Sequence, residues 1–451
     1  MQNTVNGAGP GGLEPGDQPS LGELVAVFAR IGLLSFGRPA GQIGMMHRSL
    51  VEERRWLSEQ RFLHALNYCM LLPGPEAQQL ATYVGWLLHG VRGGIIAGLL
   101  FVLPGLMVMI GLSTAYALYQ ETGWLDGLFF GLKAAVLAIV VQAVIRLGGK
   151  TLKTTFLKAV AALAFIALFV FSLPFPLVVL GAGFSGLVAA RFGGHVPAPI
   201  EDTVFVPQKR RPGRAVASLL FWIAVWQAPL AVLWFLHAPD GLAAMFSFFS
   251  RMALVTFGGA YAVLAYVAQV AVDDYGWLRA GEMLDGLALA ETTPGPLVLV
   301  LSFVGFLVGF REASGMGAVT GGIVGAVLVA WATFVPSFIF IFAGAPYIER
   351  LRDNAAMSAA LSAITAAVVG VILNLALWFG LHVLFRTMDR VSLAPSIGLD
   401  ISVPRWASID PAAVALFVVS ALLLLRFRLG MVPVLGLCAL AGLALHLAGW
   451  A

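Results

Sequence analysis

Residues 28–75 read FARIGLLSFGRPAGQIGMMHRSLVEERRWLSEQRFLHALNYCMLLPGP, and residues 249–296 read FSRMALVTFGGAYAVLAYVAQVAVDDYGWLRAGEMLDGLALAETTPGP. Laid over each other without a gap, position 28 on 249 (an offset of 221), they share 13 of 48 residues. The identities include Phe28/Phe249, Arg30/Arg251, Phe36/Phe257, Gly37/Gly258, Trp56/Trp277, Leu57/Leu278 and Pro73-Gly74-Pro75/Pro294-Gly295-Pro296. A shared hydrophobic bias would match Leu and Val. These matches concentrate instead on residues that bend backbones, carry charge or anchor interfaces, so the chain is an internal duplication. Two pseudo-equivalent halves meeting in a bilayer are a recurring way to build a transporter with its site between them.

Composition places the duplication in a membrane. The 451 residues are 60% hydrophobic and 11% charged, with a mean hydropathy of +0.91, which is too little charge to solvate a soluble protein of this length. The apolar runs reach the roughly 20 residues that a bilayer crossing needs. Residues 1–20 are rich in Gly and Pro and lack a basic start, so a cleavable signal is not expected and the tail is expected to be disordered. The net charge of +4 reflects loop Arg and Lys, and does not argue for nucleic acid. Cys69 and Cys438 sit far apart in apolar contexts and read as packing residues.

The expected fold is an all-α polytopic membrane protein of two homologous halves, with about thirteen apolar segments: 21–36, 62–90, 93–118, 124–145, 159–173, 175–190, 215–236, 242–270, 283–310, 317–346, 355–385, 411–425 and 429–450. The domains are then a tail (1–20), a first repeat (21–192), a linker plus one extra helix (193–241) and a second repeat (242–451). An even-numbered repeat followed by one extra crossing starts its second copy from the opposite face, so the count favours inverted repeats. The basic loops around Arg146/Lys150/Lys153/Lys158 and Arg191/Lys209/Arg210/Arg211/Arg214 belong to the cytoplasmic side, with 159–190 as a short hairpin. Counting back then strands Arg48, Arg54, Arg55 and Arg61 outside. Two resolutions stay open: a surface segment balanced by Glu52, Glu53 and Glu59, or a re-entrant Pro-Gly-Pro segment.

The chemistry-bearing features lie where the repeats match. Pro73-Gly74-Pro75 interrupts 62–90 and Pro294-Gly295-Pro296 interrupts 283–310. Proline removes an amide donor and clashes with the preceding turn. Two prolines around a glycine therefore predict a broken helix whose free N–H groups and positive dipole end face into the protein, where they suit an anion. Arg30 and Arg251 each sit in an apolar run, seven residues before the glycines of Ser35-Phe36-Gly37 and Thr256-Phe257-Gly258. Anion contact is the functional reading; snorkelling to a headgroup, or pairing with Glu76 or Glu291, is the structural one. Lys133, Asp126 and Asp285 lie near segment ends, where snorkelling or a lumenal contact is the ordinary account. Trp56, Trp124, Trp277 and Trp331 read as interface anchors.

Several classes find no support in the sequence. No segment pairs two histidines at i, i+4, so no metal site is expected. There is no Walker-type loop and no cofactor motif, and no paired intramembrane aspartates or Ser/His arrangement suggests an enzyme. A passive anion channel would use the same broken helices.

The strings Ser35-Phe36-Gly37-Arg38-Pro39-Ala40-Gly41-Gln42-Ile43 and Phe62 to Gln79, followed by Thr256-Phe257-Gly258-Gly259-Ala260-Tyr261 and Glu291-Thr292-Thr293-Pro294-Gly295-Pro296, closely resemble the long, two-domain members of the chromate ion transporter family. The resemblance implies a plasma-membrane protein of two oppositely oriented halves that expels chromate, with sulfate as the related oxyanion. Its partners would be chromate, sulfate, the lipid bilayer and, in an assembly, a second copy as a homodimer. One departure is visible: Arg38 stands where many relatives carry a second glycine, as this chain itself does at Gly259. The candidate substrate-binding residues are thus Arg30, Ser35, Phe36, Gly37, Arg38, Gln42, Asn67, Pro73, Gly74, Pro75, Glu76 and Gln78 in the first repeat. Arg251, Thr256, Gly258, Gly259, Glu291, Thr292, Thr293, Pro294, Gly295 and Pro296 join them from the second. Glu76 has two readings: a carboxylate that takes up a coupling proton beside an anion, or a favourable first-turn cap.

Overall fold

The computed structural model of the chain describes residues 19–35, 39–120, 122–192, 212–238, 240–257, 260–312, 315–344, 355–394 and 399–450. Phe36, Gly37, Arg38, Gly258 and Gly259 lie outside them, as do tail residues 1–18 and linker residues 193–211.

The first half starts with α1 (Leu21–Leu34), whose entry is set by a capping box: Ser20 Oγ accepts from Glu23 N at 3.2 Å while Glu23 Oε2 accepts from Ser20 N at 2.7 Å. Leu24, Val27, Phe28 and Ile31 recur at helical spacing and form its buried stripe. After α2 (Pro39–His47), a π-helical turn over Arg48–Glu53 leads to α3 (Glu59–Met70). α4 (Glu76–Tyr119) follows, then α5 (Gly123–Thr151) and a hairpin of α6 (Thr155–Phe169) and α7 (Phe175–Arg191). α4 is two arms joined at His89-Gly90, where Gly90 takes φ +60°. Gly85 on one arm meets Gly93 on the other, backbone on backbone. With no side chains between them, the arms close as antiparallel neighbours.

α8 (Pro212–Phe235) links the halves and rests on the second one, where Trp226 Nε1 donates to the Ala332 carbonyl at 3.0 Å. α9 (Asp240–Val255), α10 (Ala260–Gln269), a second π-helical turn (Val270–Asp274) and α11 (Ala280–Thr292) then repeat α1, α2, the first turn and α3. A 3₁₀ turn (Leu297–Leu299) opens α12 (Val300–Glu312), and α13 (Ala318–Ile339) packs back on it through Gly305/Gly325 and Gly309/Gly321. This is the hairpin of α4 again. α14 (Ala355–Leu384), a two-stranded antiparallel ribbon of β1 (Met388–Ala394) and β2 (Leu399–Pro404), α15 (Pro411–Ala421) and α16 (Met431–Leu447) complete the chain.

The halves exchange helices. α5 of the first half packs against α15 and α16 of the second, and α14 of the second packs against α6 and α7 of the first. Small residues permit both contacts: Gly131 on α5 touches the Cys438 carbonyl and Gly442, and Gly370 on α14 touches the Ala161 carbonyl and Phe165.

Several expectations are refined. Among the described residues, five helices are long and apolar enough to cross a membrane: Glu76–Tyr119, Gly123–Thr151, Val216–Phe235, Ala318–Gly344 and Ala356–Leu384. The segment 242–270 is two helices, α9 and α10, because the chain leaves helical geometry at Thr256. Trp56 and Trp277 are buried in the core, Trp277 stacked on Tyr275 at 4.3 Å, rather than anchored at a surface. Arg54, Arg55, Glu52 and Glu53 are exposed, and His47 bridges Glu52 at 3.2 Å and Glu59 at 2.7 Å. The basic stretch is therefore a surface segment.

Gly131→Leu should force α5 off the Cys438 carbonyl, an overpacking that costs about 1–3 kcal/mol. The apparent Tm of the purified protein should fall by several degrees. Gly436→Leu, on an open face of α16, is the control and should leave it near the wild-type value.

Candidate functional site

Each Pro-Gly-Pro breaks its helix outright. α3 ends at Met70 and α4 begins at Glu76; α11 ends at Thr292 and the 3₁₀ turn begins at Leu297. The glycines carry the reversal, Gly74 at φ +119° and Gly295 at φ +92°, a region closed to most other residues. In one straight helix Gly286 and Phe303 would lie about 25 Å apart at a rise of ~1.5 Å per residue. Instead the Phe303 ring fills the space that a side chain on Gly286 would need. Likewise Tyr68 and Tyr83 bring their rings to 5.0 Å across the first break. Both motifs are therefore tips of helical hairpins.

The tips are held by each other's half. Gly74 N donates to the Thr256 carbonyl at 2.8 Å, and Gly295 N donates to the Ser35 carbonyl at 2.7 Å. The two bonds map onto each other through the same 221-residue offset that aligns the repeats. Gln42 Nε2 adds a bond to the Gly295 carbonyl at 2.6 Å, and Gln79 Nε2 closes the first tip on the Pro73 carbonyl at 2.7 Å.

Between the tips lies a cavity with about 300 Å³ of empty space, mouth included, lined by Gln42, Gly74, Pro75, Glu76, Ala77, Ala260, Pro296, Leu297 and Val298. Two helical starts converge on it. Neither has a side-chain cap, so the first-turn amides of Glu76–Ala77 and of Leu297–Val298 remain as donors. Such paired amide ends attract negative charge. Among the described residues, no Lys or Arg lines the cavity. Glu76, in the first turn, has no hydrogen-bond or ion-pair partner among the described residues. Nearby, the buried polar atoms Ser35 Oγ, Gln78 Oε1, Gln79 Oε1 and Ser337 Oγ lack a partner among the described residues. Ser337 Oγ is 3.7 Å from where a side chain on Gly74 would begin.

The predicted site residues divide accordingly. Gln42, Gly74, Pro75, Glu76 and Pro296 line the cavity, while Ser35, Thr256, Pro73 and Gly295 shape its tips. Gln78 is buried on α4, its Nε2 donating to Thr82 at 3.3 Å. Thr256 Oγ1 and Thr293 Oγ1 bond to the carbonyls of Met252 (2.8 Å) and Ala290 (3.0 Å). Thr292 is exposed, and Pro294 packs its carbonyl on Gly105. Glu291 is buried against Tyr261, whose Oη donates to it at 2.6 Å. Asn67 is part-buried on α3, away from the cavity lining. Arg30 and Arg251 are not brought to the cavity: both are exposed, Arg251 Nε donating to its own helix at Ser247 (3.2 Å). The physical reason is helical phase, since Val27, Phe28 and Ile31 occupy the buried stripe of α1 and Arg30 falls on the opposite face. Sequence reasoning missed Gln79, Ala260 and Ser337. Gln79 follows a tip glycine and was within reach of inspection; Ser337 sits in a distant apolar run without any local signal.

The sequence profile described as chromate transporter matches residues 22–187 and 243–443. A chromate transport protein of Pseudomonas aeruginosa is 36% identical over 358 residues, covering 78% of this chain and 79% of that protein. A probable chromate transport protein of Synechococcus elongatus is 30% identical over 78% of this chain and 83% of its own length. A chromate transport protein of Cupriavidus metallidurans is 29% identical over 78% and 81%. No solved structure matches the chain.

Gly74→Leu and Gly295→Leu should each weaken binding of a tetrahedral oxyanion by tenfold or more, about 1.4 kcal/mol, within the cost of backbone strain at such positions. Titration of the purified proteins with chromate and with sulfate measures this. Gly315→Ala, at an equally left-handed glycine (φ +89°) with open space around it, should bind as wild type.

Proposed function

The chain belongs to the chromate transporter family, and on that premise we propose that it exports chromate from the cytoplasm across the plasma membrane and so confers chromate resistance. The observation that carries this reading is the cavity between two reciprocally bonded hairpin tips. Chromate is a tetrahedral dianion, and converging amide donors replace its water from two sides at once. Backbone donors are fixed in place before the anion arrives, so binding does not require ordering a flexible side chain. An inside-negative potential favours outward movement, at about 2.3 kcal/mol per charge per 100 mV.

The pseudo-twofold exchange of helices supports alternating access. Tilting one half against the other trades one set of contacts for its symmetric equivalent, and the cavity at their junction then faces the other side. The halves are 21–192 and 242–451, joined through 193–241, and opposite orientation follows from the extra crossing that α8 adds. Sulfate, of the same shape and charge, is the related substrate. A passive pore is the less favoured reading, because the two Gly-to-carbonyl bonds close the route between the tips.

In a chromate-sensitive host the protein should raise resistance and lower intracellular chromium. Labelled chromate should accumulate in vesicles by counterflow against internal chromate, a behaviour that a simple pore lacks. At equal membrane abundance, Gly74→Leu should abolish both, whereas Arg30→Gln with Arg251→Gln should retain most of the export, as their exposed positions imply. A double arginine variant that loses chromate binding would return these residues to the site.

Tags after Lys150 and after Arg211 should both report cytoplasm. A periplasmic signal from either overturns the proposed orientation.

A further inference from the structure

Away from the cavity, α11 carries a second set of polar groups that ties the halves together. Asp285, buried at 6% exposure, lies 3.1 Å from Lys133 Nζ of α5, and Tyr116 Oη of α4 donates to its Oδ2 at 2.9 Å. Asp285 comes from the second half; Lys133 and Tyr116 come from the first. Phe129 and Phe303 wall the group off, both edge-on to the Tyr116 ring at 5.3 and 5.2 Å. The remaining charges nearby are already matched. Glu282, one turn earlier, is held by Arg279 at 2.7 Å and Arg311 at 2.6 Å. On the other elements packed against α11, His382 of α14 has Nδ1 on the Trp378 carbonyl at 2.8 Å, and His446 of α16 lies against Gly127 of α5. Asp126, in the first turn of α5, is exposed.

A carboxylate is not demanded by the hairpin itself, because the equivalent position of the first repeat holds His64. Nor is it placed for stability alone: a buried ion pair seldom stabilises more than apolar residues of the same size. From Asp285, α11 runs about 10 Å (~1.5 Å per residue) to its end at Thr292, just before the tip at Pro294-Gly295. In the proposed alternation, any movement of α5 against α11 stretches the Lys133–Asp285 contact, and two separated charges in an apolar wall are costly.

We propose that Asp285 is a proton-binding site coupled to the anion, with Lys133 as its counter-charge and Tyr116 as its hydrogen-bond partner. When the dianion enters between the tips, Asp285 takes up one proton from water, and the Lys133 ammonium, no longer neutralised, offsets part of the anion's charge. When the anion leaves, the carboxyl releases the proton and the pair reforms. One proton therefore moves with each dianion, in the same direction. The proposal rests on the reading of the chain as an oxyanion transporter.

The test uses full-length protein in liposomes with a trapped pH dye. Wild type should carry protons with net chromate movement, and an imposed pH gradient should drive that movement. Asp285→Asn, which mimics the protonated carboxyl, should keep chromate counterflow within about twofold while losing at least tenfold of the gradient-driven flux. A proton carried by chromate itself would survive this substitution. Lys133→Met with Asp285→Asn should insert normally and show no response to the gradient. In the wild type, a membrane-permeant carbodiimide, which modifies protonated buried carboxyls, should label Asp285 faster with chromate than without; mass spectrometry reads this without any variant. Gradient-driven flux preserved in Asp285→Asn, or labelling unchanged by chromate, overturns the proposal, as does a double variant that recovers full coupling. Loss of counterflow in the wild type would instead remove the transport reading beneath it.

Discussion

Two backbone hydrogen bonds, from Gly74 to Thr256 and from Gly295 to Ser35, hold each hairpin tip in the opposite half. Everything distinctive about the cavity depends on them. A re-entrant tip in a membrane protein exposes amide and carbonyl groups that lipid cannot satisfy, so it persists only where protein supplies partners. Here each repeat supplies them for the other, and neither half can form its tip alone. The cavity is consequently a property of the pair.

The binding surface proposed for the cavity relies on oriented peptide dipoles. Its donors are first-turn amides at Glu76–Ala77 and Leu297–Val298, with Gln42 and the buried hydroxyls of Ser35 and Ser337 in reach of the tips. Amides do not carry the strong hydration of an ammonium group, and their geometry is fixed before the ligand arrives. Glu76 is the one acidic residue among the described residues of the lining.

Duplication built a symmetric frame that the two copies furnish differently. Gln42 and Glu76 of the first copy correspond to Val263 and Leu297 of the second, so the polar side chains that line the cavity come from the first copy. In the other direction, Asp285 replaces His64 and brings a carboxylate to the contact between halves. The backbone keeps the pseudo-twofold relation, down to the two π-helical turns, while the side chains divide the work.

The sequence by itself determined the class, the duplication, the breaks at both Pro-Gly-Pro motifs and the family. These are written in local quantities: apolar runs, a constant offset, and proline and glycine chemistry that no tertiary contact reverses. It also marked Gln42, Glu76 and the two glycines. Tertiary structure alone decided that the breaks reverse the chain, that the tips cross-bond, and that α5 and α14 are each clasped by the other half, since each depends on partners hundreds of residues away. It moved Arg30 and Arg251 out of the site because helical phase, set by which stripe finds a neighbour, outweighs their matched positions. It brought Ser337 beside Gly74 and Lys133 beside Asp285, meetings that no spacing along the chain encodes.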